Sequence, residues 1–120
     1  MPWRDRKNKM DAAQLLFWKP GPNIKLSAPE IARELVWGEE VAGLIDLPVR
    51  EILDRIKGEF AQNEEKSGSL TVHADAGHAE ITWGWQFVRA ECHEFAAADR
   101  ERLIDVVESF DCMAFEPERR

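Results

Sequence analysis

Between Ser69 and Trp83 the chain alternates apolar and polar side chains, SLTVHADAGHAEITW. Folded back at Ala76-Gly77 as a hairpin, the stretch puts Leu70, Val72, Ala74, Ala79, Ile81 and Trp83 on one face. Thr71, His73, Asp75, His78, Glu80 and Thr82 fall on the other. Strand side chains alternate with period two, so a slip of one residue would exchange the two faces. This register sets His73 opposite Glu80 and Asp75 opposite His78. Beyond Trp83 the pattern changes phase. Trp85 and Phe87 keep the apolar parity, whereas Val88, Ala90 and Cys92 take the opposite one. A bulge near Gly84 is the simplest cause, because one extra residue re-aims everything after it; a separate strand over 86–92 is the alternative.

Helical periodicity is clearest over Val49, Ile52, Leu53, Ile56 and Phe60, whose spacing forms one apolar stripe. Asp46 is positioned to cap that helix ahead of Leu47-Pro48. An earlier helix begins with the capping box Ser27-Ala28-Pro29-Glu30, carries Ile31, Leu35 and Val36, and stops at Gly38. A third spans 97–110, with Leu103, Ile104, Val107 and Phe110 as its inner stripe. Residues 13–19 (AQLLFWK) read as a buried strand halted by Pro20-Gly21-Pro22, and Cys112 to Phe115 as a short closing strand. Glu39 to Ile45 forms a short turn or helix, and the polar run Asn63 to Ser69 a loop. Residues 1–11 have no apolar period and read as a basic tail. The domain proper then covers 12–117, with 118–120 as a charged end.

The resulting order is strand, helices, strand, strand, helix, strand. It predicts an α+β fold of the ferredoxin-like, split βαβ kind: an antiparallel sheet, helices packed on one face, and an enlarged first crossover.

Composition narrows the functional classes. An apolar fraction of 44% with 32% charged residues is that of a globular chain able to bury a core. The net charge of −7 is unevenly spread. Residues 1–25 hold six bases against two acids, while 26–65 hold ten acids against four bases and 91–118 nine against two. Such an acidic body repels a phosphate backbone, which disfavours nucleic acid as a partner. No apolar run approaches the roughly 20 residues needed to span a bilayer, and no secretory signal is visible. The expected location is the cytoplasm, with reduced thiols.

Candidate chemistry is sparse. P-loop, GxGxxG, HExxH and GxSxG motifs are all missing, so an enzyme is the less favoured class. Cys92 and Cys112 read as small buried residues, since adjacent Cys92 and His93 must point to opposite faces of a strand. Four residues on the hairpin's polar face, His73, Asp75, His78 and Glu80, form a candidate site for Zn or Fe, because imidazole and carboxylate suit such ions. The bland alternative is a solvated sheet face. Trp83, Trp85 and Phe87 form a candidate ligand or interface cluster, with Trp85 the one expected at the surface. The leading expectation is a binding module that engages a protein partner or itself as a homodimer. The alternatives are a divalent-metal-binding protein and a small-molecule binder with a Trp-lined pocket.

Overall fold

The computed structural model describes residues 12–116; the tail expected over 1–11 and the end 118–120 lie outside the described residues. The first strand, β1 (Ala12–Pro20), carries Leu15, Leu16, Phe17 and Trp18, all buried. Alternating side chains leave a strand on opposite sides, so four consecutive buried residues require cover on both faces. That cover is supplied by three helices. Helix α1 (Ala28–Val36) starts at Ser27, whose side chain accepts from the Glu30 N–H while Glu30 reaches back to the Ser27 N–H, the expected capping box. Its Ile31, Ala32 and Leu35 pack with Leu16 and Trp18. Helices α2 (Val49–Glu59) and α3 (Ala97–Glu108) pack together on the other side, where Ile52, Leu53, Ile56, Leu103, Val106 and Val107 meet Leu15 and Phe17. The expected one-sided helical layer therefore gives way to two helices on one face and one on the other. Val49 and Ile104, expected inside, are half-buried.

Six further strands complete the sheet: β2 (Leu44–Ile45), β3 (Asn63–Lys66), β4 (Ser69–His73), β5 (His78–Trp83), β6 (Val88–His93) and β7 (Met113–Phe115). The order is β2-β1-β6-β5-β4-β3, with β7 also paired to β1, and all pairings are antiparallel. The described residues thus form an α+β fold with a seven-stranded antiparallel sheet and three helices.

Four local expectations are corrected. Asn63 to Lys66 is an edge strand instead of a loop. Its side chains are polar because neither of its faces is deeply covered, and its charges guard an open edge. Leu44–Ile45 is a short strand where a turn or helix was expected. Asp46 does not cap α2, which begins from Pro48 without a side-chain cap. No bulge occurs at Gly84. Residues Gly84 to Phe87 form a turn in which the Gly84 N–H donates to the Phe87 carbonyl at 3.0 Å, and β6 is a separate strand.

The hairpin faces are as expected, but the rungs differ. Its turn is Ala74 to Gly77, closed by the Ala74 N–H donating to the Gly77 carbonyl at 2.9 Å, so His73 faces His78 and Thr71 faces Glu80. A two-residue turn at Ala76-Gly77 would ask an alanine for positive φ. Moving the reversal shifts the register by two residues, which preserves both faces and changes every partner. Gly77 is needed for space: a methyl there would overlap the His93 carbonyl oxygen and the Glu94 backbone. Gly77→Ala should destabilise the fold by about 1–3 kcal/mol, as overpacking against backbone does. Denaturant unfolding checks this, and a change under about 0.5 kcal/mol, the range of ordinary surface substitutions, would refute it.

Candidate functional site

Directly opposed residues in an antiparallel sheet point to the same side, so the registers gather the polar side chains of β4, β5 and β6 on the face away from α2 and α3. Across β4, β5 and β6 one rung is His73, His78 and His93. The imidazole centroids of His73 and His78 lie 6.1 Å apart, and those of His78 and His93 4.9 Å apart in a stacked arrangement. All three histidines of the chain therefore sit side by side. The next rung on the same face is Thr71, Glu80, Glu91 and Gln14. Arg89 follows beyond it, opposite Thr82, with its guanidinium 3.9 Å from Glu91. These residues are half-buried or exposed, because α1 covers only the β1 side of this face.

Of the four residues singled out for metal, the structure brings His73 and His78 together. Glu80 lies one rung away, and Asp75 stands in the turn, exposed. Among the described residues no three His, Cys, Asp or Glu side chains are arranged to hold a metal ion. His93 and Glu91, which complete the rungs, escaped the sequence reading. Part of the signal was available: with Val88, Ala90 and Cys92 inward, Arg89, Glu91 and His93 must point outward, and the pairing of β6 with β5 then sets them beside His78 and Glu80.

The aromatic trio divides. Trp83 is half-buried against the main core, Phe87 packs on the α1 side, and Trp85 stands at the tip of the β5–β6 hairpin, 58% exposed. Trp83, Gly84 and Trp85 line an apolar recess of about 520 Å³ with Leu47, Val49, Arg50 and Leu53. A second recess, of about 560 Å³, runs beside α1, where Pro29, Ala32, Val36 and Trp37 face Phe115. Gln14, Arg33 and Glu116 supply its polar lining. Trp37 is 78% exposed, more than any other large apolar side chain among the described residues. It lies two residues past the buried Leu35, about 200° further round the helix, which is the sequence signal that it faces out. Leu35, Gly38, Glu39, Glu40, Gln86 and Phe87 join Trp85 around a small hollow at the C-terminal end of α1, so Trp37 and Trp85 occupy the same end of the molecule. Gln86 fixes that end. Its buried amide accepts from the Val41 N–H and donates to the Val41 carbonyl, both at 3.0 Å.

Neither cysteine is an activated nucleophile. Cys92 and Cys112 are buried free thiols, and burial pushes each up to about 11, so both are protonated at neutral pH. Cys92 points into the core and His93 to the open face, which separates them as a pair. Glu65 is held down at about 2 by its hydrogen bonds to Arg50 and Lys57. That network ties α2 to the edge strand β3 and faces no recess other than through Arg50.

Compared with known proteins, the chain matches no family model, no curated protein and no solved structure. No helix among the described residues is long and apolar enough to cross a membrane.

Proposed function

We propose that the protein is a binding module that takes up an apolar segment of a protein partner at the end of the molecule shared by Trp37 and Trp85. The observation that carries this reading is the exposure of two tryptophans beside apolar recesses of about 560 and 520 Å³. Water-exposed indole is unfavourable by the transfer energy of its area, and tryptophan anchors dominate interfaces when such rings become covered. Arg33, Arg50 and Glu116 on the linings would orient the guest. The acidic body argues against nucleic acid, and the cytoplasm is the setting that suits two unpaired thiols. The architecture we assign is ferredoxin-like: β6 lies between β1 and β5, and β7 lies on the far side of β1, as in a split βαβ unit. On this reading β3 and β4 are an edge addition, and α1 belongs to the enlarged crossover.

The test is peptide selection. Random peptides displayed on phage are selected against the folded protein, then rebound to the Trp37→Ala/Trp85→Ala double variant. We expect enriched sequences with aromatic or aliphatic anchors that lose at least about tenfold in affinity on the double variant, equal to about 1.4 kcal/mol. Both rings are exposed, so the variant should keep the wild-type fold. Failure to enrich any sequence, or equal binding to both proteins, refutes the reading.

A further inference from the structure

The C-terminal end of α1 carries charge of the sign it disfavours. A helix concentrates partial negative charge on its last carbonyls, so cations are stabilising there and carboxylates are not. Residues 30–40 hold Glu30, Glu34, Glu39 and Glu40 against Arg33 alone. Three of those acids, Glu34, Glu39 and Glu40, sit in the last turn of α1 or just past it. Among the described residues none of the three forms an ion pair. The turn that holds them is fixed by backbone. Gly38 takes a φ of 84°, its N–H donates to the Leu35 carbonyl at 3.0 Å, and the Glu39 N–H donates to the Glu34 carbonyl at 2.9 Å. In helix ends closed this way, the positions of Glu34 and Glu39 commonly make an apolar contact. Here both are acids. The same turn presents Trp37, and Glu39 and Glu40 line the hollow that Trp85 borders. Carboxylates without a cation thus accompany the two exposed indoles.

We propose that the partner segment bound at this end is cationic: an aliphatic or aromatic anchor enters the recess beside α1, and lysine or arginine next to it meets Glu34, Glu39 and Glu40. This rests on the peptide-binding reading above and names the partner's chemistry. A guest cation supplies the charge that the helix end lacks, and it can lie over the face of Trp37 or Trp85, to which cations are attracted. Arg33 on the recess lining is one base against four acids, and Glu116 on the same lining is paired with Arg100 at 3.4 Å. Two other occupants fit less well. In a two-fold dimer the patch would meet itself, setting acids against acids. Residues 1–11 hold four bases against two acids, but Trp3 and Met10 each have an aspartate within two positions, Asp5 and Asp11.

The experiment uses the whole chain, with random peptides displayed on phage as the probe. Peptides whose binding depends on Trp37 and Trp85 should carry lysine or arginine beside the anchor more often than the starting library does. The most enriched peptide is then synthesised and titrated. Raising the salt from about 0.1 to about 1 M shortens the screening length from about 10 to about 3 Å and should weaken binding at least about threefold. Glu39→Lys/Glu40→Lys should weaken it at least about fivefold, since one exposed pair is worth up to about that factor and the reversal turns two attractions into repulsions. In the free protein the same variant should melt at or above the wild-type temperature by circular dichroism, because the helix end then carries the charge it favours. Tryptophan-dependent peptides without a basic bias leave the binding reading standing and overturn this one, whereas a selection that enriches nothing removes both. Binding indifferent to salt and to the charge reversal also overturns the proposal. So does a lower melting temperature for the free variant, which would make the acids part of the turn's own structure. A dimer in light scattering that Trp37→Ala dissociates assigns the face to a second copy instead. Peptide binding at least about tenfold tighter, or about 1.4 kcal/mol, when Arg4, Arg6, Lys7 and Lys9 are all replaced by glutamine assigns it to the chain's own first residues, and overturns the proposal equally.

Discussion

Ile52→Ala should lower the stability of the fold by about 2–5 kcal/mol, the cost of a large-to-small change at a packed site. Ile52 has no exposed surface. It lies on the inner face of α2 with Leu53 and Ile56, against a cluster that draws Leu70, Val72, Ala79 and Ile81 from the β4–β5 hairpin and Leu103 and Val107 from α3. Removing three carbons there leaves a hollow lined by three separate elements, none of which can close it without moving a helix relative to the sheet. Urea unfolding measures the change. A loss below about 1 kcal/mol would mean that the site collapses freely and that α2 is peripheral to the core.

Ile52 also marks where the sequence was most legible. The stripe Val49, Ile52, Leu53, Ile56 and Phe60 is a helical period, and helix α2 lies where that period places it. The hairpin shows a subtler limit. Alternation in SLTVHADAGHAEITW fixes which residues share a face, and that assignment stands: Leu70, Val72, Ala79 and Ile81 are buried, and His73 and Glu80 are exposed. Alternation is blind to a shift of two residues, so the partners within a face were set by the turn alone. Ala76 resists the positive φ of a two-residue reversal, and the four-residue turn brings histidine opposite histidine instead of glutamate.

Other features had weaker signals or none. The unbroken run Leu15, Leu16, Phe17, Trp18 already required cover on both sides of β1, a consequence of period two that a one-sided helical layer ignores. Edge strand β3 has no apolar position to announce it, since its pairing with β4 is made by backbone. Of the candidate site, His73, His78 and Glu80 were found from pattern alone. His93 and Glu91 depended on knowing that β6 lies beside β5, a tertiary fact.

Gln86→Leu should cost about 2–4 kcal/mol, a second large effect from a residue that no periodicity points to. Gln86 is 8% exposed, and its amide pairs with both backbone groups of Val41, itself buried, in the manner of a strand rung. Leucine fills the same space and leaves the Val41 N–H and carbonyl without partners. Each orphaned buried group costs about 1–3 kcal/mol, which outweighs the gain from a more apolar side chain. Gln86→Glu separates hydrogen bonding from shape. An ionised carboxylate can still accept from the Val41 N–H but repels its carbonyl, whereas a protonated one can donate to it. The glutamate variant should therefore be less destabilised, relative to wild type, in acid than at neutral pH. Unfolding of both variants at two pH values makes the measurement. Equal losses for Gln86→Glu at both pH values, or a Gln86→Leu variant as stable as wild type, would show that the Val41 rung is not what holds this loop. Because the rung ties the segment following α1 to the β5–β6 tip, its loss should also loosen Trp37 from Trp85. Peptides selected on the wild-type protein should then bind Gln86→Leu more weakly, although Gln86 itself is buried and need not touch them.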